Sequence, residues 1–153
     1  MGKRGYFGIG IFNGKCEQNV GTLWRSADIL GASFVFTIGN RYKRQSSDTM
    51  KSYRRIPLYH YADYDDFFDH VPYDCPVVAI ELADWSIPLE EYHHRERCIY
   101  LLGAEDHGLP QQIMNRCVET VQLIGKYCYN VSTAGSIVMY DRAVKALKGD
   151  ARP

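Results

Sequence analysis

Short apolar runs alternating with stretches of helical period restrict this chain's fold more than any other feature. Tyr6–Phe12 is apolar, with glycine and asparagine at its borders, and reads as a buried strand. From Glu17 to Leu30 the pattern changes. Val20, Leu23, Trp24, Ala27 and Gly31 recur at i, i+3, i+4, i+7 and i+11, one face of a helix that Gly31 can stop. Ser33–Ile38 is a second strand, rich in aromatic and β-branched residues. Pro57–Tyr61 reads as a short strand and Tyr64–His70 as a short acidic helix. Val77–Glu81 and Cys98–Leu102 are further strands, Leu109–Arg116 a short helix with Pro110 in its first turn, and Thr120–Ile124 the last strand. Ser132–Lys148 closes the chain as a helix, with Ile137, Tyr140, Val144 and Leu147 spaced for burial. Strands alternating with helices predict an α/β fold, a mostly parallel sheet with helices on both faces. In such sheets ligands settle on the loops that follow the strands.

Size and charge narrow the classes. A chain of 153 residues with 46% hydrophobic residues reads as one domain, 1–153, able to bury a core without staples. No run approaches the ~18 apolar residues of a membrane span. The start, Met1-Gly2-Lys3-Arg4-Gly5-Tyr6, lacks a signal-peptide apolar region and the Ser or Thr of a myristoylation site, so a cytoplasmic location is expected. Cys16, Cys75, Cys98, Cys117 and Cys128 form no Cys-x-x-Cys pair. Reduced thiols fit them better than disulfides or zinc, and those outside the last loop read mostly as small buried residues. The net charge is zero, so any nucleic-acid contact must come from a local patch or from patches joined in an oligomer.

Three separated stretches carry the chemistry. Asn19-Val20-Gly21-Thr22-Leu23-Trp24-Arg25 opens the first long helix. Gly103-Ala104-Glu105-Asp106-His107-Gly108 follows an apolar strand, and Asn130-Val131-Ser132 opens the last helix. Each has an ordinary reading alone. Gly103 and Gly108 suit a plain strand-to-helix turn, Glu105 a surface carboxylate at a helix start, Arg25 a solvated charge, and Asn130 and Ser132 a helix cap. In this order, however, they resemble the three signature motifs of the SpoU (TrmH-like) family of RNA ribose 2′-O-methyltransferases, in the SPOUT superfamily. The resemblance extends from about Gly5 to about Leu147.

That resemblance implies an S-adenosylmethionine-dependent enzyme acting on a ribose 2′-hydroxyl of tRNA or rRNA, without metal. It implies a deep trefoil knot in the C-terminal third and a homodimer. It puts Arg25, Asn19, Glu105 and Asn130 at the reacting groups. It puts Leu102, Gly103 and Gly108 on one wall of the cofactor site, and Leu123, Ile124, Cys128, Tyr129, Asn130 and Ser132 on the other. The family pattern in the third stretch is Ile-Pro-Met, a spacer, then Ser-x-Asn. Here Leu123-Ile124-Gly125-Lys126-Tyr127-Cys128-Tyr129-Asn130 lacks the proline, is about one residue short, and has a thiol in place of the serine hydroxyl. An isolated Arg is a poor base, so fixing a phosphate and polarising the 2′-oxygen is the more cautious role for Arg25.

The basic segment Gly39–Arg55 carries Arg41, Lys43, Arg44, Lys51, Arg54 and Arg55, with Tyr42 and Tyr53 among them. It reads either as a solvated loop or as an RNA contact using phosphate binding and stacking. No separate RNA-binding domain is evident. A hydrolase is disfavoured, because Ser136 lies in Ala134-Gly135-Ser136-Ile137-Val138 rather than a Gly-x-Ser-x-Gly elbow. A Rossmann oxidoreductase is disfavoured because Gly8-Ile9-Gly10 lies inside a strand. The competing readings are a catalytically silent RNA-binding relative of the same fold, and a dimeric cofactor-binding protein with no RNA role.

Overall fold

The computed structural model describes residues 5–40, 55–150 and 152. The elements run β1 (Tyr6–Phe12), α1 (Glu17–Leu30), β2 (Phe34–Ile38), β3 (Leu58–Tyr61), α2 (Tyr64–Asp69), β4 (Val77–Ile80), β5 (Ile87–Pro88), β6 (Arg97–Leu102), α3 (Gln111–Met114), β7 (Glu119–Gln122) and α4 (Val131–Leu147). They form a seven-stranded sheet in the order β3-β2-β1-β6-β4-β7-β5, with every pairing parallel.

Side-chain alternation along the strands separates two cores. Phe7, Ile9 and Ile11 of β1, Tyr100 and Leu102 of β6, and Val78 and Ile80 of β4 pack against α1 and α4. Phe34 and Phe36 of β2, Ile99 and Leu101 of β6, and Val77 and Ala79 of β4 pack against α2 and α3 on the opposite face. Helices therefore cover both faces, which explains why these strands read as continuous apolar runs. Each large side chain buried in this way contributes roughly 1.5–3 kcal/mol. The glycines of β1 belong to the second face. Gly8 pairs with Phe34 and Gly10 with Phe36, and a Cβ built on either glycine would meet the neighbouring phenyl ring at 2.3–2.5 Å. Glycine there makes room for the aromatic stack that Phe36 forms with Phe67, 4.7 Å between centroids.

The ends of the helices follow local chemistry. Gly31 takes φ 86° as the α1 cap and donates its N–H to the Ala27 carbonyl. Asp63 caps α2 by accepting from the Asp66 N–H at 2.9 Å. The sequence expectations shift at three places. The last strand is Glu119–Gln122, so Leu123 and Ile124 already lie in the following loop. The Leu109–Arg116 helix contracts to Gln111–Met114. The two-residue strand β5 was not foreseen, and its Pro88 is tolerated because it sits at the sheet edge.

At the end of the sheet where β6 begins, a buried polar cluster joins α4 to the strands. Arg142 donates to the carbonyls of Arg95 and Glu96 at 2.7 and 2.9 Å and to the Tyr100 hydroxyl at 3.0 Å. His94 lies 2.6 Å from that hydroxyl and 2.8 Å from the Asp141 carboxylate. The carboxylate only accepts, so His94 Nε2 donates to it and Nδ1 accepts from Tyr100. The opposite end of the sheet, where β1, β6, β4 and β7 finish side by side, carries the motifs.

Candidate active site

The three motif stretches meet through one chain of hydrogen bonds. Asn19, in the first turn of α1, is buried and donates its amide N–H to the Glu105 carboxylate. Its oxygen accepts from the Asn130 amide at 3.0 Å. Asn130 caps α4. Its oxygen accepts from the Ser132 N–H at 3.0 Å, the Ser132 hydroxyl at 2.6 Å and the Thr133 N–H at 3.2 Å. Both ends dictate the direction. An ionised carboxylate can only accept and a backbone N–H can only donate, so each amide between them has one usable orientation. Residues about 90 and 110 positions apart in the chain are thus locked in a single register.

Beside this relay lies a cavity of about 290 Å³. Leu102, Gly103 and Gly108 line it from the loop after β6, and Leu123, Cys128 and Tyr129 from the loop after β7. Ile124 faces a neighbouring groove along α4 instead. Asn130 and Ser132 lie outside the lining, and their side chains build the relay. Gly103 lies so close to the other end of its own loop that a Cβ would meet the Gly108 carbonyl carbon at 2.4 Å. The Glu105 carboxylate is exposed and lies in a loop, not at a helix start.

Arg25 is exposed on α1, away from the apolar face. Beside it, the Ser26 hydroxyl donates to that of Ser136 at 2.8 Å, while Ser136 donates to the Ser132 carbonyl, and this fixes α1 against α4. Arg55 is exposed and bonds Asp28 of α1 through Nε at 2.5 Å. Arg41, Lys43, Arg44, Lys51 and Arg54 lie outside the described residues. Among the described residues no group of His, Cys, Asp and Glu side chains is arranged to hold a metal, and no helix is long and apolar enough to cross a membrane. Cys75 and Cys98 are buried and Cys117 half-buried, as expected of small apolar residues, whereas Cys16 is exposed at the start of α1.

Sequence reading alone passed over Ile80, Glu81, Leu82, Tyr127 and Ala134, which also line the cavity. For Glu81 the sequence offers only its place directly after a buried apolar run, which does not by itself mark a site. Lys15 was also passed over. It pairs with Asp106 across the site and holds that carboxyl below the usual carboxylate range.

Fold and site together define an α/β domain whose parallel sheet carries a cavity and a polar relay at one end. The sequence model of the SpoU rRNA Methylase family matches residues 8–140, and the chain belongs to that family. No curated protein is similar enough in sequence to count as a match. Many solved structures share the fold, three of which follow. A structure from work on the 2-OH methylation of C/U34 on tRNA is 22% identical with a TM-score of 0.80, covering 95% of this chain and 99% of that one. The A. aeolicus TrmH/SpoU tRNA modifying enzyme is 19% identical with a TM-score of 0.82, covering 97% and 80%. An AdoMet-bound rRNA methyltransferase from Sinorhizobium meliloti is 22% identical with a TM-score of 0.80, covering 93% and 57%. The chain therefore spans nearly all of the first relative and little more than half of the third.

Proposed function

We propose that this chain transfers a methyl group from S-adenosylmethionine to a ribose 2′-hydroxyl of tRNA or rRNA. The observation that carries this reading is the Ser132–Asn130–Asn19–Glu105 relay beside the 290 Å³ cavity, together with membership of the SpoU family. The cavity suits the cofactor. It is close in size to small-ligand sites, and Leu102, Leu123 and Val131 offer apolar contact for a flat base. Glu105 places a carboxylate on the cavity wall, where a cationic sulfonium would be favoured. Bound there, S-adenosylmethionine supplies an electrophilic methyl group, and no metal is needed. The relay holds the two loop walls in register. Arg25 fixes the RNA phosphate and polarises the 2′-oxygen as its proton leaves.

The basic segment supports RNA as the substrate. Its described ends are both tied to the helix that carries Arg25 or to the loop before it. Asn40 donates to the Gly14 carbonyl at 3.0 Å, and Arg55 donates to the Asp28 carboxylate of α1 at 2.5 Å. A homodimer belongs to the same reading, because an exposed Arg25 needs a second surface to close a site around it. The C-terminal trefoil knot and a cytoplasmic location complete it.

Titration calorimetry with S-adenosylmethionine in the presence of a chelator, followed by labelled methyl transfer to total tRNA and rRNA, tests the proposal. Binding and ribose methylation are expected. Arg25→Ala should abolish transfer with cofactor affinity changed only a few-fold. Absence of binding at millimolar cofactor would sink the reading. Binding of cofactor and RNA without transfer to any RNA would identify a silent relative.

A further inference from the structure

Strand β4 ends in a carboxylate that belongs to none of the three motifs. Glu81 follows Ile80 directly and lines the cavity, on the strand between β6 and β7. Its backbone is tied on both sides. The N–H donates to the Val121 carbonyl at 3.0 Å, and the carbonyl accepts from the Ser86 hydroxyl at 2.9 Å. The side chain is tied as well. Oε2 accepts the Leu109 N–H at 2.9 Å and Oε1 the Leu82 N–H at 3.0 Å.

Leu109 is the buried residue at which the loop after β6 returns to the core. Just before it, Gly108 takes φ 61° and donates its N–H to the Ala104 carbonyl at 3.0 Å, which closes the loop. A Cβ built on Gly108 would lie 2.3 Å from Glu81 Oε2. The loop backbone therefore rests directly on this carboxylate, and glycine is required there for both space and conformation. Hydrogen bonds from a backbone N–H to a carboxylate are among the stronger ones. The tip of the same loop is held by the Lys15–Asp106 pair, which is open to water and adds little. The loop therefore has two fixed points, the Asn19–Glu105 bond of the relay and its base on Glu81.

We propose that Glu81 is a positioning residue for the cofactor, holding the Gly103–Leu109 backbone in the shape that forms one cavity wall. It sets cofactor affinity and leaves the transfer step to Arg25 and the relay. This rests on the reading that the cavity takes S-adenosylmethionine.

The test uses the full chain as unaltered protein, Glu81→Ala and Glu81→Gln. S-adenosylmethionine is titrated calorimetrically, KM and kcat are measured with total RNA, and folding is checked by circular dichroism. Glu81→Ala should raise Kd and the cofactor KM about tenfold or more, with kcat held within about threefold. Glu81→Gln keeps one acceptor oxygen and should fall between the two. An unchanged Kd in Glu81→Ala, or a loss confined to kcat, overturns the proposal. If Glu81→Ala fails to fold, Glu81→Gln decides: a several-fold rise in Kd supports the proposal and an unchanged Kd overturns it. The first titration separates the two readings, since no binding by the unaltered chain defeats the assignment of the cavity and this inference with it.

Discussion

Asn19 is where single-residue chemistry is most constrained. It is buried in the first turn of α1, with one donor committed to a carboxylate and one acceptor committed to an amide. Removing it leaves Glu105 without that donor and Asn130 without that acceptor. A lost hydrogen bond to a charged group costs about 1.5–3 kcal/mol. Asn19→Ala should therefore slow methyl transfer at least tenfold, and thermal unfolding should shift downward. Asn19→Asp is the sharper probe. It keeps the size but offers only acceptors, and it sets a second carboxylate against Glu105. Its transfer rate should be no better than that of Asn19→Ala. Full activity in the Asp variant would show that the relay does not matter to the reaction.

Gly10 and Gly135 both permit close approach between elements, with different tolerances. Gly10 on β1 faces Phe36 on β2, and a methyl there would lie 2.3 Å from the Phe36 carbonyl oxygen, part of a backbone pinned in the sheet. Gly135 on α4 faces Leu23 on α1, and a methyl there would meet the far end of a leucine side chain at 2.5 Å. Overpacking costs about 1–3 kcal/mol, while Gly→Ala inside a helix returns about 1 kcal/mol of propensity. Gly10→Ala should therefore destabilise the protein by the full overpacking cost. Gly135→Ala should stay within about 1–2 kcal/mol of the unaltered chain. Urea unfolding midpoints of the two variants decide it, and equal midpoints would contradict this account of the sheet.

At the scale of the whole molecule, the cluster around Arg142 couples stability to pH. Burial lowers the His94 pKa to about 4 from its ordinary 6.5, against the opposing pull of Asp141. The unfolded chain then binds a proton that the folded one refuses, so stability falls as pH drops from 6.5 towards 4, by roughly 3 kcal/mol. Urea unfolding at pH 7 and pH 4.5 should show this loss, and His94→Gln should show less of it. Sedimentation at micromolar concentration should give twice the 17.6 kDa chain mass. The groove along α4 bears Ile124 and Tyr140, 75% and 65% exposed, which suits a covered surface. A monomer that still transfers methyl groups would refute the dimer.

The sequence alone determined the main strands and helices, because short apolar runs and the helical period of 3.6 are local properties of the chain. It therefore placed β1, α1, β2 and α4 almost to the residue, and Gly31 marked the end of α1 through its own conformational freedom. It also separated the buried stripe of α1 from Arg25. It did not reveal that Asn19 joins that stripe, nor that Asn130 caps α4 with one atom and reaches Asn19 with another. Local spacing carries no information on which distant amide will lie opposite. Ile124 fell on the neighbouring groove because β7 ends at Gln122, and a strand's end depends on where its partner stops. Glu81 escaped notice for the same reason. Its carboxylate gains a role only when β4 lies beside β6, and strand order is decided by packing across the whole sheet.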